Sequence, residues 1–305
     1  MFDLVYFDIS GKCNARCPWC QTGVLNLNKK PLKGGHIDVK TFARAIEYML
    51  KMGIIGQSTL VDLYNWGEPF LNPQFKEIIH FMSTTNVQFG LSTNCSILIT
   101  FDRPDLLVNL KRVLFSMCGF SQASYDRIHG FNFETVKRNI VTMVDNFRQC
   151  GFHQEASIPF HLYQFNLDEM RPAHEFGLKH EIGLYPYYAL FNGFDMTMDY
   201  LCGSMPYKQL KKVSEELVLF YVQDLIAKMP EAYRCPQYDI LTLDEHCNVL
   251  TCCFVEKYVE KFVLGSIFDL TLEEINASRM QPVCKKCIST GASYWVHNGY
   301  YKSPL

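Results

Sequence analysis

Long apolar runs are missing from this chain of 305 residues. None approaches the roughly 18 residues that a membrane-spanning helix needs, which excludes an integral helical membrane protein. An excess of one charge is missing too: 29 Lys and Arg face 31 Asp and Glu, a formal net charge of −2. That leaves no electrostatic footprint for nucleic acid. The start, Met1-Phe-Asp-Leu-Val-Tyr-Phe-Asp, is too short and too acidic for a secretory signal. Low-complexity tracts are absent. The expectation is a soluble cytoplasmic protein with no nucleic-acid or membrane partner. With 48% apolar residues, the length suits one large domain or two modest ones around a sizeable core.

Cysteine is too scarce for a disulfide scaffold, at 13 residues or about 4% against the roughly 8–10% such scaffolds carry. Yet the cysteines are clustered. Cys13, Cys17 and Cys20 stand at the front, and Cys235, Cys247, Cys252, Cys253, Cys284 and Cys287 at the back. Cys95, Cys118, Cys150 and Cys202 are scattered between them. In a reducing compartment, thiols at short fixed spacings read as metal ligands rather than disulfides.

Up to about Tyr188, short apolar runs alternate with amphipathic helical patterns, the signature of βα units and a parallel sheet. Strands are expected at Val5 to Ile9, Thr59 to Tyr64, Val87 to Ser92, Arg112 to Ser116, Ser157 to Leu162 and Gly183 to Tyr187. Helices are expected after the Asp38 cap, at Pro73 to Met82, around Pro104 to Leu110, at Phe133 to Cys150 and at Leu167 to Phe176. Six units are fewer than the eight of a closed barrel, so an open α/β partial barrel, (β/α)6, is expected. The pattern changes after residue 190. A helical stretch, Lys208 to Met229, precedes short strand-like segments edged by cysteines. The expected division is 1–190 barrel, 191–234 helical linker and 235–305 a small C-terminal α+β unit.

Cys13-Asn-Ala-Arg-Cys17-Pro-Trp-Cys20 is a C-x3-C-x2-C loop directly after the first strand. Thiolates this close can face one metal centre. Zinc is one occupant, with His36 or a back cysteine as fourth ligand. A four-iron cluster held by three thiolates, with one iron open, is the other. One βα unit later comes Asn65-Trp66-Gly67-Glu68-Pro69. There a glycine permits close backbone approach, and a carboxylate sits at a strand's C-terminal end, where barrel active sites lie.

Together these motifs resemble the radical S-adenosylmethionine (SAM) superfamily, whose members carry C-x3-C-x2-C after strand one and Gly-Gly-Glu-Pro after strand two. Here the first glycine of that motif is replaced, while Gly67, Glu68 and Pro69 remain. The resemblance covers essentially the whole chain. It implies a [4Fe–4S] cluster on Cys13, Cys17 and Cys20 whose fourth iron binds SAM. It places Trp19 near the adenine and Glu68 on the SAM ammonium. Thr93 and Asn94 match the strand-three end, and Ser116 a ribose-contacting position. Cys118 replaces an aspartate common in relatives. The implied chemistry is reductive cleavage of SAM to a 5′-deoxyadenosyl radical that removes hydrogen from an unactivated C–H bond.

The back cysteines resemble the auxiliary-cluster domains called SPASM and their shortened form, twitch. Cys235, Cys252, Cys284 and Cys287 fit, with Cys247 at a glycine position of the pattern and Cys253 as an alternative to Cys252. The implied occupant is a second, auxiliary [4Fe–4S] cluster fully held by protein and used for electron transfer. A zinc knuckle is the plainer occupant of four such cysteines.

Two substrate classes follow from the resemblance. One is a small polar molecule, a sugar or aminoglycoside-type carbinol, undergoing epimerisation or dehydrogenation. The other is a ribosomal peptide; relatives of that kind commonly carry an N-terminal recognition domain, and the first cysteine here is residue 13. An iron–sulfur electron carrier would need neither Glu68 nor the barrel. A flavodoxin- or ferredoxin-type reductant is the implied partner. Epimerisation needs a hydrogen-atom donor, for which Cys118, Cys247 and Cys253 are candidates, though free cysteine is commonly just a small buried hydrophobe. His161, Gln164, Tyr185, Tyr187 and Tyr188 are candidate pocket residues, or fill the open barrel side. Trp295, His297, Tyr300 and Tyr301 are candidates to cap the barrel.

Overall fold

The computed structural model describes residues 1–191, 193–279 and 281–299. Its first strand follows from alternation: Val5 and Phe7 are fully buried, while Leu4 and Tyr6, which alternate with them, are half-buried. Six strands, β1 (Leu4–Phe7), β2 (Leu60–Asp62), β3 (Gln88–Thr93), β4 (Leu110–Phe115), β5 (Ala156–Leu162) and β6 (Gly183–Tyr188), pair in parallel and in chain order. Parallel neighbours need crossover connections. Helices α1 (Gly23–Leu27) and α2 (Val39–Lys51) join β1 to β2, and α3 (Phe75–Thr84) joins β2 to β3. Then α4 (Gln122–Arg127) and α5 (Phe133–Gln149) join β4 to β5, and α6 (Met170–Lys179) leads to β6.

The helices form where local chemistry and burial agree. Asp38 caps α2 by accepting from Thr41 N at 3.0 Å. Phe42, Ala45, Ile46 and Met49 then fall on one face and are buried. Burial of each of the larger side chains stabilises the fold by about 1.5–3 kcal/mol. Asn132 caps α5 in the same way, accepting from Thr135 N at 2.9 Å. Gly151, at φ +93°, carries the chain away from its far end.

Two expectations fail where tertiary pairing overrides local pattern. Residues 104–109 form turns rather than a helix, with Leu107 N bonded to Cys150 O at 3.1 Å, and Leu110 already belongs to β4. The stretch Lys208 to Met229 is broken into α8 (Tyr207–Glu216) and α9 (Val222–Ile226), which follow α7 (Phe194–Leu201). The break comes where Leu217 forms an antiparallel bridge with Tyr163.

The C-terminal strands extend the barrel sheet. Strand β7 (Ile240–Leu243) pairs parallel with β1, and β8 (Asn248–Leu250) and β9 (Val263–Ser266) follow antiparallel. The sheet order is β6-β5-β4-β3-β2-β1-β7-β8-β9. Helices α10 (Leu272–Ser278), α11 (Pro282–Ser289) and α12 (Ala292–Asn298) close the described chain. Among the described residues, no helix is long and apolar enough to cross a membrane.

Candidate active site

Cys13, Cys17 and Cys20 lie on the loop after β1 and line one cavity of about 380 Å³. Asn26 fixes the loop: its Nδ2 donates to the carbonyls of Cys13 and Ala15, both at 2.7 Å. Arg16 N donates to His129 O at 3.0 Å, tying the loop to the α4–α5 connection. Ala15 N and Asn94 Nδ2 donate to Cys13 Sγ at 3.4 and 3.7 Å. Burial, reinforced by Glu68 and Cys20, pushes the Cys13 thiol up to about 12, and burial raises Cys17 and Cys20 as well. Such thiols become thiolates only beside a cationic centre.

The other motif residues reach the same cavity from neighbouring strands. Gly67 has no alternative: a Cβ there would lie 1.6 Å from the Ser10 carbonyl oxygen. Glu68 is buried, and its carboxylate accepts from Asn94 N at 2.7 Å and Phe70 N at 3.2 Å. Burial outweighs those bonds and lifts its pKa to about 7. Trp19, Thr93, Asn94 and Ser116 line the cavity, and Trp19 Nε1 donates to Glu216 Oε2 at 2.9 Å. Pro69 opens a short 3₁₀ turn and lies outside the lining.

Four further polar residues, His161, Tyr187, His129 and Asn65, belong to the wall. His161 Nδ1 faces the Met117 carbonyl at 3.4 Å, which can only accept, so Nδ1 carries the proton and Nε2 accepts from Tyr187 O–H. Burial lowers His161 to about 4; burial and then His161 lower His129 to about 3. Both rings are neutral near pH 7. Asn65 Nδ2 and His129 Nδ1 line the cavity or its rim as buried polar atoms without a partner among the described residues. Gln164 instead donates to Leu217 O at 3.2 Å, Tyr185 is exposed and bonds Glu155, and Tyr188 stacks on Tyr221 at 4.3 Å. These three are outside the lining.

The candidate hydrogen donors separate. Cys118 is buried, lines the cavity, and its thiol faces Ser124 O at 3.8 Å; burial holds it protonated. Cys247 and Cys253 are not on this cavity. Cys247 turns the β7–β8 hairpin at φ +63° and is buried there, close to the charges of Asp244 and Arg44. Cys253 packs its thiol against Gln237, and its carbonyl accepts from Trp66 Nε1 at 2.9 Å.

A second cavity, of about 50 Å³, is lined by Cys235, Cys252, Cys284 and Cys287 among largely apolar walls. Beyond the end of β8, Cys252 joins this lining, whereas Cys253 enters a turn and does not. His297 borders this second cavity. Trp295 is buried with Nε1 donating to Tyr221 OH at 2.9 Å, and Tyr300 and Tyr301 lie outside the described residues.

Among the described residues, no three His, Cys, Asp or Glu side chains are gathered as one metal ion would require. His36 pairs its backbone with Ser10 and is not on the cysteine cavity.

Composition and motif reading missed Asp8. Its carboxylate accepts backbone N–H groups from Asn65, Trp66 and Gly67 at 2.8–3.2 Å, and so shapes the loop that presents Glu68. The available signal was a carboxylate closing an apolar strand.

No family model and no curated protein sequence matches the chain. Solved structures do. Streptococcus suis SuiB matches at TM-score 0.59 and 11% identity, over 90% of this chain and 66% of SuiB, so this chain spans just under two thirds of that protein. The protein anSMEcpe with bound AdoMet matches at TM-score 0.58 and 16% identity, over 93% of this chain and 86% of that one. BtrN in complex with AdoMet and 2-DOIA matches at TM-score 0.50 and 13% identity, over 96% and 89%. SuiB is also known bound to S-adenosylmethionine and to the precursor peptide SuiA, and anSMEcpe with the Cp18Cys peptide. At these identities the likeness is one of fold: a radical SAM partial barrel.

Proposed function

We propose that this chain, which has the radical SAM fold, is a radical SAM enzyme acting on a carbinol carbon of a small hydroxylated molecule. One observation carries the reading. The three loop cysteines, the Gly67-Glu68 turn and the polar ends of β3 and β4 face a single cavity at the C-terminal ends of the strands. In this reading Cys13, Cys17 and Cys20 hold a [4Fe–4S] cluster. When bound, that cluster supplies the electron that cleaves SAM and releases the hydrogen-abstracting radical.

The chain's own residues do the rest. Glu68, poised near neutrality, becomes a carboxylate when the SAM ammonium approaches and holds it by a charge-assisted bond. Thr93, Asn94 and Ser116 orient the nucleoside, Trp19 packs near the adenine, and the apolar walls keep water from the reacting carbon. The Tyr187–His161 pair and the unpartnered Asn65 amide offer hydrogen bonds to substrate hydroxyls. Among the described lining residues there is no Lys or Arg, so a phosphate would lack a counter-charge; this favours an unphosphorylated sugar-type or aminoglycoside-type substrate.

Cys118, the one candidate donor on the cavity, favours epimerisation: its S–H bond breaks to give a hydrogen atom to the opposite face of the carbon radical, and one electron from the reductant with one proton from solvent restores the thiol. Dehydrogenation is the second reading, favoured by the four cysteines around the second cavity, where an auxiliary [4Fe–4S] cluster would accept the electron. A peptide substrate is the third, favoured by the fold likeness to SuiB and anSMEcpe, whose structures include bound peptides. The proposed organisation is 1–190 barrel, 191–234 linker and 235–305 auxiliary-cluster unit, reduced by a flavodoxin- or ferredoxin-type partner in the cytoplasm.

The test is anaerobic reconstitution followed by SAM turnover with candidate sugars in heavy water. Formation of 5′-deoxyadenosine with deuterium at the target carbon supports epimerisation. Loss of deuterium, but not of 5′-deoxyadenosine, in Cys118→Ala identifies the donor. An oxidised, deuterium-free product supports dehydrogenation. Reduced, iron-loaded protein that never liberates 5′-deoxyadenosine overturns the reading.

A further inference from the structure

Arg279 is a buried charge with no counter-charge of its own. It sits at the C-terminal end of α10, only 2% exposed, with its guanidinium 4.6 Å above the Phe2 ring. Its terminal nitrogens donate to the backbone carbonyls of Gln237 and Ile240, while Nε is buried with no partner. Among the described residues it forms no ion pair. Asp239 is nearby, but both its oxygens are taken by Arg234. Carbonyl bonds alone repay little of the cost of removing a guanidinium from water.

Arg279 lines a surface cleft with Arg234 and Asp239, and on its other side the second cavity. It shares that lining with Cys235, Cys252, Cys284 and Cys287. His297, the other ionisable cation former there, is kept neutral by burial. The rest of the wall is mostly apolar, so little screens a charge placed inside it. The cavity therefore has a fixed positive charge and four latent negative ones.

We propose that Arg279 is the resident counter-charge of the auxiliary centre, favouring its assembly and raising its reduction potential. This rests on the reading that those four cysteines hold an iron–sulfur cluster. Four thiolates make such a cluster anionic, and reduction adds one more negative charge. A fixed cation stabilises the reduced form more than the oxidised one, and local charge is among the quantities that set cluster potential. Arg279 is thus a positioning and tuning residue, with no contact to substrate required.

The experiment uses the full chain carrying Cys13→Ala, Cys17→Ala and Cys20→Ala, so that only the auxiliary centre remains. Iron is counted, and the potential is read by an EPR-monitored redox titration. In that background Arg279→Gln is expected to lower the one-electron equilibrium constant at least tenfold, about 59 mV. Arg279→Lys, which keeps the charge, is expected to shift it by less than half as much. An unchanged potential in Arg279→Gln overturns the proposal. So does an equal fall in both variants, which would make the carbonyl bonds, not the charge, responsible. Should Arg279→Gln fail to load, loading becomes the measurement: normal iron in Arg279→Lys supports the proposal, and failure of both overturns it. Absence of iron from the parent overturns the auxiliary-cluster reading itself, and this proposal with it.

Discussion

Lys257 Nζ lies 2.8 Å from Asp8 Oδ2, with both side chains buried, and so joins a C-terminal loop to the end of β1. The same ammonium reaches Glu245 Oε2 at 3.1 Å, and Glu245 accepts from Tyr258 OH at 2.5 Å and Gly35 N at 3.1 Å. Burial alone would lower the Lys257 pKa; Asp8 and Glu245 overcome that and raise it. Because Asp8 also collects the N–H groups of residues 65–67, the Glu68 loop is fixed by a residue almost 190 positions away.

Lys257→Met leaves two buried carboxylates uncompensated. The expected loss is about 3–5 kcal/mol in urea denaturation at pH 7. Without the cation, burial, the largest influence on Glu245, is opposed only by its hydrogen bonds from Tyr258 and the backbone, and its pKa rises. The folded state then binds protons that the unfolded state has released, so stability falls as pH rises and part of the loss returns at pH 5. A loss below about 1 kcal/mol would contradict a structural role for the network.

Gly67→Ala forces a methyl into the Ser10 carbonyl, backbone against backbone. Cooperative unfolding should shift by several kcal/mol, of the order of severe overpacking, about 3 kcal/mol or more, and SAM binding should be lost. Gly35→Ala is the control, since its nearest neighbour, His246 Cε1, is 3.7 Å from the added carbon. Equal thermal shifts for the two variants would refute the steric account.

The cysteine series separates ligands from bystanders. Reconstituted wild type should hold about eight irons if two four-iron clusters are present. Triple replacement at Cys13, Cys17 and Cys20, or double replacement at Cys284 and Cys287, should each leave about four. Cys253→Ala and Cys247→Ala should keep the full complement, whereas Cys252→Ala should not. Normal iron in Cys252→Ala with loss in Cys253→Ala would reverse that assignment.

Acid sensitivity should trace to two histidines. Folded pKa values of about 3 for His129 and about 4 for His161 lie below the ordinary imidazole value. The unfolded chain therefore takes up protons first as pH falls below about 6.5, and stability that is complete above that value is lost towards pH 4. Each histidine contributes a slope of up to about 1.4 kcal/mol per pH unit. His129→Phe should flatten the pH 7 to pH 5 stability profile by one proton, and an unchanged slope would refute the assignment.

Part of this was legible before any coordinates because it is written in local order. The Cys13–Cys20 loop, the Gly67-Glu68 turn and the alternation of strand and helix patterns depend on residues within a few positions of one another. Asp38 and Asn132 cap helices for the same reason. Local pattern failed at residues 104–109 and 217–221, where pairing with Cys150 and Tyr163 set the backbone instead.

By itself, the sequence determined which chemical groups the chain offers and which strands present them, since spacing along a strand or loop decides which side chains share a face. Tertiary structure alone decided which cysteines face a cavity, sending Cys252 inward and Cys253 against Gln237, and leaving Cys247 in a hairpin turn. It also decided that Asp8 meets Lys257 and that Arg279 shares a cavity lining with four cysteines. The physical reason is that a buried charge is met by whatever the fold brings within a few ångströms, and Asp8 and Lys257 come from opposite ends of the chain.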